Sequence, residues 1–284
     1  MKIKNIIGVA GVILIIATCL AIISPTASKM ITTEQDADEI VEYVNKNNEA
    51  NPEEKEYLIT QMQKYNEEIA NGKRYKNETE LDQNYYSITG RSDAIGFVKI
   101  PKINVELPIH PGVDDETLYR YAGHMPNTSF PIAGENIHAV ISAHTAYPGR
   151  TFFDHLPDLE LGDEFSVTVL DEKRTYKVIN KVTVKPQDMS ELSIQKGKNL
   201  VSLVTCFPYA VNTHRLIVTG ELIKTENNIT TEDTSSTRFI SQPINYIKEY
   251  PMVFIAIGIS LTGIITATVI MIIQHKKLKK KLKQ

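Results

Sequence analysis

The sequence predicts a mainly β protein: one closed or nearly closed barrel, carried between two membrane segments. Three observations predict it. Between Ala94 and Ile223, short β-branched runs alternate with turns and show no βαβ rhythm. Two uncharged apolar runs, Ile6–Ile23 and Pro251–Ile273, bracket that region. Only one cysteine, Cys206, lies outside the apolar runs, at the end of a strand-like run.

The apolar runs hold 18 and 23 residues. At 1.5 Å per helical residue, each suffices to cross a hydrocarbon core of about 30 Å. Lys2 and Lys4 precede the first, and six lysines follow the second. Positive flanks favour the cytoplasmic side, so both termini are expected inside and the middle outside. A cleaved signal peptide, with Pro25-Thr26-Ala27-Ser28 near the cut, is the alternative for the first run.

Without those tails the chain carries 23 basic against 34 acidic residues, net −11. Nucleic-acid binding needs clustered Lys and Arg, so this balance argues against it. An exported cysteine ordinarily pairs in a disulfide. Cys206 has no exported partner, which points to a reactive thiol or an intermolecular bridge, with a buried inert thiol as the bland reading.

Taken in order, Leu58, Met62, Tyr65 and Ile69 form one stripe of an amphipathic helix after the Asn51-Pro52 break. It reads as a spacer docking on the barrel. Lys76–Asp93 is polar and reads as a loop. Strands follow at Ile95–Ile100, Val105–Ile109, His138–Ser142, Glu164–Leu170 and Arg174–Val184, with a short helix over Asp114–Tyr121. The last is the hairpin Leu200–Gly220, LVSLVTCFPYAVNTHRLIVTG, which brings Cys206 close to Arg215.

A cysteine nucleophile attacks as thiolate and needs a proton donor for the leaving group and positive charge where an oxyanion develops. Cys206 and the permanently cationic Arg215 fit the first and last needs. Six histidines outside the tail compete for the second. His214 neighbours Arg215 on a strand, so the two point to opposite faces. His144 ends an apolar strand between the small residues Ala143 and Thr145, where a pocket can open. On the residues alone, both stay candidates. A zinc site needs three or four ligands with a close-spaced pair, and no such pair occurs.

Leu203-Val-Thr-Cys-Phe-Pro-Tyr209 with Asn212-Thr-His-Arg-Leu216 resembles the sortase active-site signature. Ser142-Ala-His-Thr145 resembles the sortase histidine motif. Proline and tyrosine after the cysteine, the NTHRL run and a second membrane segment resemble class C, pilus-building sortases. The resemblance implies the closed eight-stranded sortase-type barrel with short helices. It implies Cys206 as nucleophile, His144 as general acid/base and Arg215 as oxyanion or substrate-orienting group. Thr205 would line the substrate groove, with Ala143 and Thr145 as further substrate-contacting positions. No cofactor or metal is implied.

The implied partners are pilin or surface proteins carrying an LPxTG-like sorting signal, with a pilin lysine or a peptidoglycan amine as acceptor. A membrane-tethered β-barrel binding module with an idle cysteine is the non-enzymatic alternative. Class C sortases commonly carry a lid with an aspartate–proline–aromatic motif. Leu81-Asp-Gln-Asn-Tyr-Tyr86 stands in that region without the proline, so Asp82 with Tyr85 or Tyr86 is the candidate lid and an ordinary linker the alternative.

The expected organisation is a cytoplasmic start (1–5), a transmembrane helix or uncleaved signal anchor (6–23), and an extracytoplasmic helical segment (24–93). The catalytic barrel (94–224), a linker (225–250), a transmembrane helix (251–273) and a basic cytoplasmic tail (274–284) complete it.

Overall fold

The computed structural model describes residues 2–227 and scattered positions from 254 to 273. From residue 228 the expected linker lies outside the described residues, as do the basic tail and much of the second apolar run. The chain divides into two units, Met1–Thr32 with Phe239–Gln284, and Thr33–Arg238. Helix α1 (Lys2–Glu49) contains the first apolar run, most of whose side chains lie outside the described residues. Among the described residues, no helix is long and apolar enough to cross a membrane.

The second unit is built on eight strands: β1 (Gly96–Ile100), β2 (Val105–Pro111), β3 (Ala122–His124), β4 (Ile137–Ser142), β5 (Glu164–Val169), β6 (Glu172–Val184), β7 (Asn199–Phe207) and β8 (His214–Asn227). They close in the order β1-β2-β3-β4-β7-β8-β6-β5, which leaves no free sheet edge. Neighbours are antiparallel except β2–β3 and β4–β7, which are parallel. Strand β3 is only Ala-Gly-His, too short for a period-2 pattern, and sequence reasoning did not find it.

Alternation sorts the strand residues. Ile137, Ala139 and Ile141 of β4, Val201 and Leu203 of β7, and Leu216 and Val218 of β8 point into the barrel core. Their neighbours Val140, Val204 and Ile217 form a separate apolar cluster on the outer face. At Gly220 of β8 a Cβ would sit 2.6 Å from the Phe165 ring, so only glycine lets that ring stack on Tyr176.

The pre-barrel segment docks as the helical stripe predicts. Helix α2 (Pro52–Ala70) starts at Asn51, whose side chain accepts from Glu53 N, with Pro52 at the first helical position. Met62, Tyr65 and Ile69 join the main core. Asn66 exchanges two hydrogen bonds with the Phe130 backbone, at 3.0 and 2.7 Å.

The stretch read as a loop is instead two short helices, α3 (Glu78–Asn84) and α4 (Tyr86–Thr89). The signal was legible. Asn77 accepts from Glu80 N at 2.9 Å while the Glu80 carboxylate accepts from Lys76 N and from the Asn77 side-chain amide, a variant of the reciprocal helix-start pattern.

Between Thr33 and Glu49, α1 packs Ile40 and Val44 on Phe97. Tyr43 donates to Ile95 O at 2.9 Å and accepts from Leu170 N at 2.7 Å. Burial pushes its hydroxyl up to about 12.

Candidate active site

Register brings the candidate residues together. In the parallel pair β4–β7, Ile137 faces Asn199 and Ser142 faces Val204. Past the last paired residue, Ala143 N donates to Val204 O at 3.1 Å and Thr205 Oγ1 donates to Ala143 O at 2.7 Å, so His144 begins the loop at the Cys206 end of β7. In the antiparallel pair β7–β8, Cys206 faces Arg215 directly. By alternation, the outward series runs Val140 and Ser142 on β4, Val204 and Cys206 on β7, and Ile217 and Arg215 on β8. Cys206 and Arg215 therefore share one face, next to the apolar cluster of Val140, Val204 and Ile217, and His144 opens the loop at the same end of the barrel. Met125, Val182, Val184 and Leu192 pack against that cluster.

Cys206 is a free, half-buried thiol. Arg215 Nη1 donates to His214 O at 3.0 Å and to Asn212 O at 3.4 Å. Among the described residues it has no carboxylate partner, so its charge stays available. His214 pairs with Phe207 across the hairpin and its Nδ1 lies 2.9 Å from Thr213 Oγ1. The turn between the strands has a cis Phe207–Pro208 bond and positive φ at Ala210 and Asn212.

His144 differs from the other barrel histidines. His110, His124, His138, His155 and His214 each have a ring nitrogen within hydrogen-bonding distance of a partner. Neither ring nitrogen of His144 has one among the described residues. Its ring instead stacks on Tyr147, centroids 5.4 Å apart and planes 20° apart, and meets Phe152 at 6.4 Å and 61°. Burial holds its pKa below the ordinary histidine range, while the Asp115 carboxylate pulls the other way.

The loop after β4 is closed on itself. Asp154 accepts from Ala146 N and Phe152 N, both at 2.9 Å, and Phe153 N donates to His144 O at 3.0 Å. Arg150 in the same loop forms a buried ion pair with Asp36 of α1.

Thr205 and Ala143 take a different place from the groove positions expected of them. Both sit one residue from an outward position, so both point inward, and they are 3% and 4% exposed. Thr205 Oγ1 donates to Ala143 O at 2.7 Å, and Ala143 N donates to Val204 O at 3.1 Å. The pair ties the histidine loop to the cysteine strand from behind. Thr145 is also buried.

Of the candidate lid residues, Tyr85 is held against the barrel, while Asp82 is tied within its own segment. Asp82 pairs with Arg91 at 2.6 Å, and the Arg91 guanidinium lies 4.0 Å from the Tyr86 ring centroid. Tyr85 is fully buried and stacks on His124 and Phe130. His124 Nε2 donates to Ser129 O at 2.8 Å, which leaves Nδ1 to accept from the Tyr85 hydroxyl at 2.8 Å. Burial pushes His124 down to about 4, so it stays neutral. Among the described residues, no hydrogen bond, ion pair or ring contact links Asp82, Tyr85 or Tyr86 to Cys206, His144 or Arg215.

Sequence reasoning missed Tyr147, Asp115 and Asp154. Tyr147 lies three residues past the histidine motif in an irregular loop, so no periodicity marks it. Asp115, on helix α5 (Asp115–Arg120), bears on His144 through its charge alone.

The structure defines a closed eight-stranded barrel with a free thiol facing an arginine at one end, and comparison places it. The family model for the sortase domain matches residues 98–223. Sortase D of Bacillus subtilis (strain 168) is 32% identical over 136 residues, 48% of this chain and 66% of that relative, a little under two thirds of its length. The sortase C structure from Clostridium perfringens with the C-terminal cell wall sorting motif is 35% identical, with TM-score 0.59, over 65% of this chain and 97% of that one. Sortase C of Streptococcus pneumoniae is 32% identical, with TM-score 0.60, over 67% of this chain and 98% of that one. The chain belongs to the sortase family, and its structural neighbours are mainly class C sortases.

Proposed function

We propose that this chain is a membrane-anchored cysteine transpeptidase. It cleaves an LPxTG-like sorting signal between Thr and Gly and transfers the acyl group to a pilin lysine amine. The observation that supports the reading is the direct cross-strand pairing of Cys206 with Arg215 at the barrel end where the loop carrying His144 leaves β4.

The Cys206 thiolate attacks the threonine carbonyl carbon. The Arg215 guanidinium faces the oxygen that gains charge, where a preorganised cation acts most strongly. The C–N bond breaks, the glycine amine leaves with a proton from His144, and a thioester remains on Cys206. A lysine amine, losing its proton to His144, then attacks the thioester carbon. The C–S bond breaks, an isopeptide bond forms and the thiolate returns. The apolar cluster of Val140, Val204 and Ile217 offers a floor for the leucine and proline of the signal.

The apolar runs 6–23 and 251–273 are proposed as the two anchors, with both termini cytoplasmic and the barrel outside. The pilus assignment draws support from the class C neighbours, one titled for pilin substrate specificity. Anchoring to a peptidoglycan amine is the second reading, supported by the weaker likeness to sortase A of Streptococcus agalactiae, 30% identical.

The test incubates the full chain with an LPxTG-like peptide and either a pilin lysine or a peptidoglycan stem amine. A thioacyl adduct on Cys206, absent in Cys206→Ala, is expected, and the lysine product should exceed the stem-amine product. An adduct that persists without Cys206 overturns the mechanism, and a reversed product ratio overturns the pilus assignment.

A further inference from the structure

We infer that Tyr147 is a positioning residue for His144: its ring, backed by Tyr119, sets the orientation in which the imidazole gives and takes its proton. The inference rests on the reading of His144 as the acid/base. It concerns a group that neither the motif nor the strand register singles out.

An imidazole on a loop has no intrinsic orientation, because its terminal torsion is broad and roughly two-fold. Catalytic histidines are ordinarily held by a third group bonded to the far nitrogen. Here that bond is missing among the described residues, although the other five histidines of the barrel unit each have one.

Ring packing fills the role. Tyr147 lies against the imidazole at 5.4 Å with the planes within 20°. Phe152, fully buried, meets the imidazole obliquely at 6.4 Å and also meets Tyr147 at 6.0 Å. Tyr147 would itself be free to swing, since it is half-buried on a loop. Tyr119 closes on it edge-to-face at 5.5 Å and 85°. Tyr119 stands on α5, which is capped by Asp114 accepting from Thr117 N at 3.0 Å. A column Tyr119–Tyr147–His144 thus spans from the helix after β2 to the loop after β4.

Tyr119 is itself 58% exposed, and Tyr147 is the ring it meets. Aromatic pairs of this geometry add about 0.5–1.5 kcal/mol beyond area burial. That suffices to bias one ring orientation while leaving both nitrogens unbonded for proton transfer.

The test uses the full chain and two readouts. The first is the proton NMR signal of the His144 ring, identified by its loss in His144→Gln. Stacking on Tyr147 shifts it upfield. Tyr147→Phe should keep that shift, and Tyr147→Ala should return it toward the free-histidine position. The second is turnover of a sorting peptide. Tyr147→Ala should lower kcat by about tenfold to a hundredfold, the scale of a misplaced reacting group, with KM changed by less than about twofold. Tyr147→Phe should restore kcat, and Tyr119→Ala should fall between.

An unchanged ring signal in Tyr147→Ala overturns the inference. So does a kcat loss in Tyr147→Phe as deep as in Tyr147→Ala, which would assign the effect to the hydroxyl. The two readings fail separately. If the unmodified chain forms no adduct, the transpeptidase reading falls while the ring signal still reports whether Tyr147 holds His144.

Discussion

Two polar trios stand at strands β4, β7 and β8 and the loop that follows β4, and they are built in opposite ways. At one end His138, Ser202 and Thr219 are at most 4% exposed. His138 Nδ1 donates to Ser193 O at 2.9 Å, so its Nε2 accepts from Ser202 Oγ at 2.8 Å, and Ser202 accepts in turn from Thr219 at 2.8 Å. Burial lowers the His138 pKa, while the bond to the Ser193 carbonyl pulls the other way. Every donor has a partner. Two residues past the end of β4 stands His144, at the end where Cys206 faces Arg215, all half-buried. There, among the described residues, the thiol is free, the imidazole nitrogens are unbonded and the guanidinium lacks a carboxylate. Satisfied buried groups hold a fold together; unsatisfied groups brought to one end are available for chemistry.

Two substitutions break this comparison most sharply. His144→Ala should lower transpeptidation by about 10²–10⁴-fold, the usual worth of a general acid/base, with thermal stability little changed. His138→Ala should do the reverse. It orphans the Ser202 hydroxyl and the Ser193 carbonyl, at a cost of roughly 1–3 kcal/mol, so Tm falls by several degrees and activity follows the folded fraction. Paired melting curves and turnover rates decide it. If His138→Ala loses activity at full stability, the closed trio is part of the machinery.

Much of this contrast was legible before the fold was known. The hairpin placed Cys206 against Arg215, because two β-branched runs around a short turn fix an antiparallel register. His144 required more. The parallel β4–β7 pairing joins residues sixty apart, and no local pattern announces it. Family resemblance chose His144 over His214; the β4–β7 pairing sets the barrel end at which it stands. The burial of Thr205 and Ala143 was not legible, because it follows from a side-chain bond between residues sixty-two apart in the chain. The pre-barrel helices were hidden by polar composition, although Asn77 and Glu80 carried a readable start signal. Tyr147 left no trace, since a ring contact made within an irregular loop has no period.

The loop that carries His144 is also tied to α1, and that tie should respond to pH. Asp36 is buried against Arg150, and desolvation raises its pKa to about 6 despite the pull of the guanidinium. The folded chain therefore binds a proton there that the unfolded chain, titrating near 4, has released. Stability from this site is fully present below about pH 4 and is lost as pH rises through about 6. Asp36→Asn removes the titration. The Tm of the unsubstituted chain minus that of Asp36→Asn should fall between pH 4 and 7 and then level off. A difference that grows with pH would mean that attraction to Arg150 outweighs burial.

The smallest effect tests how finely the open trio is tuned. Burial of His144 favours its neutral form, and Asp115 at the start of α5 opposes it by stabilising the imidazolium. Removing that carboxylate while keeping its shape, in Asp115→Asn, should lower the His144 pKa further. The limb of the pH–rate profile set by His144 then moves to lower pH, with little change in the plateau rate, because Asp115 neither bonds the ring nor touches the thiol. The same substitution should leave the His138 titration where it is, since its neighbours are the carbonyl of Ser193 and the hydroxyl of Ser202. NMR titration of both histidines in one sample separates the two. A shift of His144 to higher pH, or an equal shift at both rings, would show that Asp115 acts through the fold and not through its charge.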